Sequence, residues 1–468
     1  MRLSPRKSVA DSFSSLARED RSGFELADGS RIAVVGGGPA SSFFSFFLLK
    51  MAASVDLDIH VDIFEPRSFK RCGPAGCNHC GGVISESLVQ ILAAEGISLP
   101  AQVVQRGIES YVVHMDVGSV DIHSTAGERR IAALYRGNGP REGGDSRWES
   151  FDGYLQEMAA GLGAKVVRKL ITGIDWREGF PWLRCADGET VRYDLVTVAS
   201  GVNSNFMHML DGLPEPLKSP QTTRAYVCEF HSTEEEVSRI LGNGVHVFLL
   251  DIPRLEFAAL IPKGQFVTVV MVGEDLDQEL VHAFLQDPVV QACFPTNSTP
   301  CVCSCSPLLN LGARTRPYAD RVVLIGDSGV TRLYKDGIGA ALRTGKAAAT
   351  AAIFHGVSKD DFARHYWPAC RRIANDNVIG KVMFGTTAIF KRFRFLRSLM
   401  YRMAMREQEQ ASRRPHMSSL LWNMFTGSAP YTEICRDALH PGFAGNMILN
   451  AMAGLWPARR RPAQGPLS

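Results

Sequence analysis

Gly36, Gly37 and Gly38 follow a short apolar run, residues 31–35, and lead through Pro39, Ala40 and Ser41 into an apolar stretch that reaches Lys50. Glycine at positions 36 and 38 lets a backbone turn tightly and lie against a pyrophosphate. The free N–H groups that open the following helix supply donors and a partial positive charge. Ser41 holds the third small position, where helix and strand pack closely. Glu65 ends a second run with period-two alternation, residues 58–64, where a carboxylate can accept both hydroxyls of an adenosine ribose. Strand, glycine turn, helix, strand and acid thus fall in order between residues 31 and 65. This is the pattern of a βαβ nucleotide-binding unit.

Two further segments extend this chemistry. Residues 195–204 read as a strand ending in the small-residue turn that contains Ser200 and Gly201. Residues 321–325 read as another buried strand, followed by Gly326 and Asp327. Asp336, Gly337, Ile338 and Gly339 then open a helix over residues 337–354. A carboxylate suits the ribityl chain of a flavin, and a helix N-terminus suits the pyrimidine edge of its reduced anion. The cofactor expected from the three segments together is non-covalent FAD. Lys335, just before the second glycine turn, is a candidate for tuning the flavin with a positive charge.

Cysteine is the other chemistry-bearing type. Cys72, Cys77 and Cys80 are spaced C-x4-C-x2-C, with His79 inside, and Cys301, Cys303 and Cys305 are spaced C-x-C-x-C. Six of the eleven cysteines therefore lie in two short segments, both read as loops. The spacing leaves an iron–sulfur cluster, a zinc site, a redox disulfide and unliganded thiols all open. Cys185, Cys228, Cys293, Cys370 and Cys435 are scattered and read as packing residues.

These segments resemble the flavoprotein superfamily of aromatic hydroxylases and geranylgeranyl reductases. Gly36–Ser41 with Glu65 is similar to its dinucleotide fingerprint, residues 199–204 to its second motif, and Gly326, Asp327, Gly337 and Gly339 to its third. Ser200 stands where the second motif usually carries Asp, a residue often linked to pyridine-nucleotide interplay, and the electron donor is left open. The superfamily also has an Arg shortly before a Phe-Asp helix start, and Arg147 before Phe151 and Asp152 is the candidate. Arg71, Cys72 and Gly73, with the Ile-Pro-Lys run ending at Lys263, resemble the geranylgeranyl reductase branch. The resemblance implies that both cysteine segments approach the flavin ring. It makes Cys72, Cys77, Cys80, Cys303, Cys305 and Lys335 candidate catalytic residues, and Gly36, Gly38, Pro39, Ala40, Ser41, Glu65, Gly201, Gly326, Asp327, Gly337, Ile338 and Gly339 candidate cofactor ligands. The implied activity is hydride transfer from flavin to an alkene of an apolar, isoprenoid-like substrate. A flavin monooxygenase or halogenase, and an electron-transfer flavoprotein working through the cysteines, are the alternatives.

The elements that must position these residues give an α/β fold. A Rossmann-like FAD-binding domain (31–108, 147–222 and 301–360) is expected to carry an inserted antiparallel substrate sheet (109–146 and 223–300). A polar tail (1–30) precedes it and a helical region (361–468) follows. The chain has 468 residues, 45% of them hydrophobic and 21% charged, which excludes a mostly disordered chain or a rod. Its 51 basic and 48 acidic residues leave a net charge of +3, giving no reason to expect nucleic acid as a partner. The tail has no apolar stretch and reads as no secretory signal, so a cytoplasmic location is expected, with peripheral contact at the inner face of a membrane. That contact is read from Ile389, Phe393, Leu396, Met400 and Met403, which fall on one helical stripe. Lys391, Arg394, Arg402 and Arg406 point away from it, and Arg459, Arg460 and Arg461 follow near the end. Such a stripe packs on a core or lies on anionic lipid.

Overall fold

The computed structural model describes residues 22–73, 80–123, 131–141, 149–295, 297–313, 315–409 and 415–455. The chain divides into two compact units, each drawn from three stretches. The first takes 1–80, 135–223 and 307–377, and the second 81–134, 224–306 and 378–468. Residues 81–108, 301–306 and the helices after 377 thus group with the substrate sheet, unlike the division expected from sequence.

The first unit is built on a six-stranded sheet. Its order is Tyr318–Ala319, Val322–Leu324, Leu195–Val198, Ser30–Val35, Ile59–Phe64 and Lys165–Val167. All neighbours run parallel except the first pair. Ile32, Ala33 and Val34 are fully buried at its centre, as β-rich residues covered on both faces should be. Helices Pro39–Ser54 and Gly337–Phe354 pack closely, because their contact is lined by small residues: a side chain at Gly345 would meet the backbone of Ala40 and Phe44. The stretch 165–177 makes two strands. Lys165–Val167 joins the parallel sheet, and Ile171–Arg177 starts a small antiparallel sheet. Arg168, at the break, turns its guanidinium onto the carbonyl oxygens of Glu65 and Arg67. Part of the expected tail is docked: the carbonyl of Phe24 accepts from the N–H of Val357.

The second unit holds a larger sheet. Its order is Thr299–Cys305, Gln221–His231, Phe266–Gly273, Leu255–Lys263, Gly244–Phe248, Ser110–Met115 and Gly118–His123. The expected antiparallel sheet is in fact mixed, because Gly244–Phe248 and Ser110–Met115 pair in parallel. The C-x-C-x-C segment is a strand rather than a loop: Cys305 lies opposite Val227 and Ser304 opposite Cys228. One face of the sheet packs on Glu234–Leu241 and Gln278–Gln286, two helices that the strand-like reading of this region passed over. The other face packs on the C-terminal helices through Leu399, Met400, Met403 and Trp422.

Between the sheet and its helices lies a chain of polar groups that sequence reasoning did not find. His246 Nε2 lies 3.2 Å from the carbonyl of Leu241, so this nitrogen carries the proton and donates. His246 Nδ1 then accepts from His114 Nε2 at 2.9 Å, and His114 Nδ1 accepts from the Ser119 hydroxyl at 2.7 Å. Cys293, read as a packing residue, lies 3.6 Å from His114 Nε2. Burial, aided by His246, pushes His114 down to about 3, and burial lowers His246 as well. Both rings stay neutral in the folded protein but charge in the unfolded chain below about 6.5. Their contribution is therefore complete above that pH and is lost as pH falls, for His114 toward 3. His114 is expected to remove up to about 1.4 kcal/mol per pH unit in that window, and His246 acts in the same direction. Urea midpoints between pH 7 and 5 check this: the double variant His114→Phe/His246→Leu should show a shallower fall than wild type, and an equal slope would refute it.

Candidate dinucleotide site

Three adjacent parallel strands of the first unit end in the three glycine-containing turns. Ser30–Val35 runs into Gly36, Leu195–Val198 into Ala199 and Gly201, and Val322–Leu324 into Gly326. Open parallel sheets bind ligands beyond the carboxyl ends of their strands. Gly36 has φ +105°, and a Cβ there would stand 2.5 Å from the carbonyl oxygen of Ala199. The first turn thus lies directly on the second. Gly326 has φ +56°, and a Cβ on it would come within 2.8 Å of the Ala40 methyl, so the third turn packs on the first helix. The N–H of Gly201 donates to Ser328 at 2.8 Å and that of Gly326 to Thr344 at 3.0 Å.

The first turn is preformed. The N–H of Gly37 donates to Glu65 Oε2 at 3.0 Å, and its carbonyl accepts from Gln156 at 2.8 Å. Glu65 Oε1 meanwhile accepts from the backbone and guanidinium of Arg67, a partner the sequence reading did not assign. A carboxylate held this way keeps lone pairs for further donors. Gly38 is the N-cap of Pro39–Ser54 with no side chain closing the helix end, and Pro39 stands at the first helical position. Its first N–H groups are left for a ligand. The hydroxyls of Ser41 and Ser200 are buried without a hydrogen-bond partner among the described residues.

Arg136 faces this turn. A Cβ on Gly38 would lie 3.1 Å from its terminal nitrogen. Its guanidinium grips Asp152 through two bonds, at 3.1 and 2.9 Å, and Asp152 is fully buried. Burial opposes the arginine's charge, but Asp152, and after it Cys80 and Asp327, hold its pKa above the ordinary range. Arg136 is thus the arginine paired with the Phe-Asp helix start, and Arg147, the candidate from sequence, lies outside the described residues. The N–H groups of Phe151 and Asp152 donate to the carbonyls of Tyr135 and Arg136, which holds the start of the helix Phe151–Gly161 against Arg136.

Asp327 is exposed to solvent, yet the protein crowded around it raises its pKa by desolvation, with Thr331 and Arg136 pulling the other way. An exposed but desolvated carboxylate is one that lines a cleft. Gly337 stands beside it: a Cβ there would be 3.8 Å from Asp327 Oδ1. The helix from Gly337 has Asp336 as N-cap in the left-handed region, φ +51°, with its carboxylate on Arg332 and Arg343 instead of on the helix end. That carboxylate explains Gly339, where a Cβ would fall 2.2 Å from Asp336 Oδ1. Ile338 is buried. Lys335 is partly buried. Desolvation, then Arg332, pulls its pKa well below the ordinary lysine range, which favours the neutral amine.

The cysteines separate into different surroundings. Cys72 Sγ lies 3.5 Å from the Asn138 amide, in a turn also closed by the Gly73 N–H on the Gly139 carbonyl. Cys80 is near enough to act on Arg136. Cys77 lies outside the described residues, as does the side chain of Cys303. Cys72 is a free thiol. Within the second unit, Cys301 shares a cavity of about 240 Å³ with Tyr226, Cys228 and Ser304. Among the described residues, the metal-ligand types that gather in that unit are His114, His246 and Cys293. The zinc and iron–sulfur readings gain no support from the described residues.

No family model matches the sequence, and no curated protein does. Solved structures share its fold. A geranylgeranyl bacteriochlorophyll reductase-like protein from Thermoplasma acidophilum superposes with a TM-score of 0.64 at 17% identity, over 88% of this chain and 99% of that one. The flavin-dependent halogenase CmlS gives 0.59 at 18% identity, over 88% and 76%. A variant of the halogenase PltM in complex with FAD gives 0.58 at 10% identity, over 91% and 97%.

Proposed function

We propose that this chain is an FAD-dependent oxidoreductase that reduces an alkene of an apolar, isoprenoid-like substrate. The observation that carries the cofactor is the convergence of two helix N-termini lacking side-chain caps, at Gly38 and Gly337, with Arg136 and Asp327 between the strand ends. In this reading Gly36, Gly38, Pro39, Ala40, Ser41 and Arg136 bind the pyrophosphate, and Glu65 accepts the adenosine ribose hydroxyls. Asp327 takes the ribityl chain. Gly201, Gly326, Ile338 and Gly339 shape the crevice, and the backbone at Gly337 faces the pyrimidine edge with Lys335 beside it. When bound, the flavin supplies hydride chemistry. The protein's part is to place the cofactor, hold charge at its anionic edge and exclude water. The parallel sheet is then a Rossmann-type FAD fold, and the mixed sheet of the second unit is its substrate platform. The reductase reading over the halogenase one rests on the resemblance of Arg71, Cys72 and Gly73 and of the run ending at Lys263 to the reductase branch.

The first test is flavin itself. Purified protein should be yellow and should release its flavin on acid precipitation. Gly38→Asp, which sets a carboxylate against the pyrophosphate, should retain less than a tenth of it. Stoichiometric FAD in Gly38→Asp would remove the glycine turn from the site. Anaerobically reduced protein should then be reoxidised by a prenyl alkene. Inertness toward prenyl alkenes, with halogenation of an aromatic compound in oxygen and halide, would replace the reductase reading by the halogenase one.

A further inference from the structure

Helix Trp367–Arg392 shows two opposed faces in the part that belongs to the second unit. Gly380, Met383, Phe384 and Lys391 turn inward. Gly380 lies against Tyr431, Phe384 packs on Phe257 and Tyr431, and Lys391 donates to the carbonyls of Leu255 and Glu256. On the opposite side, Val378, Val382, Ile389 and Phe393 fall within about 60° of one another at 100° per residue. These four and Phe395, just past the break between this helix and Arg394–Glu409, are each between 51% and 62% exposed. The single stripe read from Ile389 to Met403 is therefore divided at this break. Met400 and Met403 enter the core, and Ile389 and Phe393 face out.

The charge pattern says what such a face fits. Residues 378–406 contain seven Lys or Arg and no Asp or Glu. Inward-facing Arg397 is paired with Asp116, at 2.6 and 2.9 Å. Lys381, Arg392 and Arg394, at the rim of the apolar stripe, are exposed, and no ion pair among the described residues engages them. Pro441–Leu455 in the same unit carries no charged residue and exposes Ile448, Leu449 and Met452. A patch of bulky apolar side chains rimmed by cations alone is what an anionic bilayer surface accepts: the apolar groups enter the acyl boundary and the cations stay at the headgroups. No helix among the described residues is long and apolar enough to cross a membrane, so the contact is with the surface.

We infer that the exposed face of residues 378–395 docks this protein onto anionic lipid. The test is co-sedimentation of the full chain with phosphatidylcholine vesicles, with and without phosphatidylglycerol. Binding should appear with the anionic vesicles and weaken with salt. Lys381→Gln/Arg392→Gln/Arg394→Gln should weaken it about a hundredfold, at roughly 1 kcal/mol per cation. Val382→Glu/Ile389→Glu should abolish it. All these positions are exposed, so unchanged melting and unchanged flavin content show that the variants remain folded. Wild type that ignores anionic vesicles, or a triple variant that binds them equally well, would overturn the inference. A concentration-dependent dimer dissolved by Val382→Glu/Ile389→Glu, without vesicle binding, would give the face to a second copy instead.

Discussion

Arg136→Met is expected to destabilise the protein by about 3–5 kcal/mol and to strip it of flavin. The first effect follows from Asp152, which would be left fully buried and ionised with its strongest partner gone. The second follows from where the guanidinium points, at the turn around Gly38. The two effects separate in Arg136→Met/Asp152→Leu. An apolar pair of similar volume commonly replaces a buried ion pair without loss of stability. The double variant should therefore melt near wild type and still fail to hold FAD. If it refolds and retains the cofactor at wild-type affinity, Arg136 is a structural residue only.

Gly36→Val should be severely damaging. Its φ of +105° lies in a region that a β-branched residue almost never enters, and the added Cβ would collide with the Ala199 carbonyl. Strain of this kind costs about 1–3 kcal/mol before the collision is counted. Both neighbours of the clash are backbone, so no side chain can swing away. We expect little soluble protein and no bound flavin. Gly96→Val, also at positive φ (+82°) but with open space around the added carbon, provides the contrast: it should keep its flavin and lose only moderate stability. Equal behaviour of the two variants in expression and flavin content would show that the Ala199 contact is unimportant.

The parts of this site that sequence reveals are those made by neighbours in the chain. The unit from Ser30 to Glu65 is local, and so is the helix from Gly337, so periodicity and glycine placement found both. Arg136 escaped because its partner Asp152 is sixteen residues on in the chain, too far apart for a spacing rule to link them. His114 and His246 escaped for a similar reason: their strands pair in parallel from distant stretches, and a lone histidine within a strand carries no signal. The C-x-C-x-C run was read as a loop, but its pairing with Gln221–His231, some 75 residues earlier in the chain, makes it a strand. The helix stripe was correct in period and mistaken in continuity, since the break before Arg394 resets the phase.

The central strand has a consequence for how the chain comes off the ribosome. Ser30–Val35 is made some 160 residues before one of its two partners, Leu195–Val198. At about 5–20 residues per second, its apolar edge waits roughly 10–30 s for that partner. Ser110–Met115 waits nearly as long for Gly244–Phe248. Long-range parallel pairing of this kind is slow, and it leaves Val- and Ile-rich edges open to other chains in the interval. Nascent chains of this protein should therefore depend on whatever shields such edges during translation. Fragments ending before residue 195 should aggregate, although they contain the complete glycine turn.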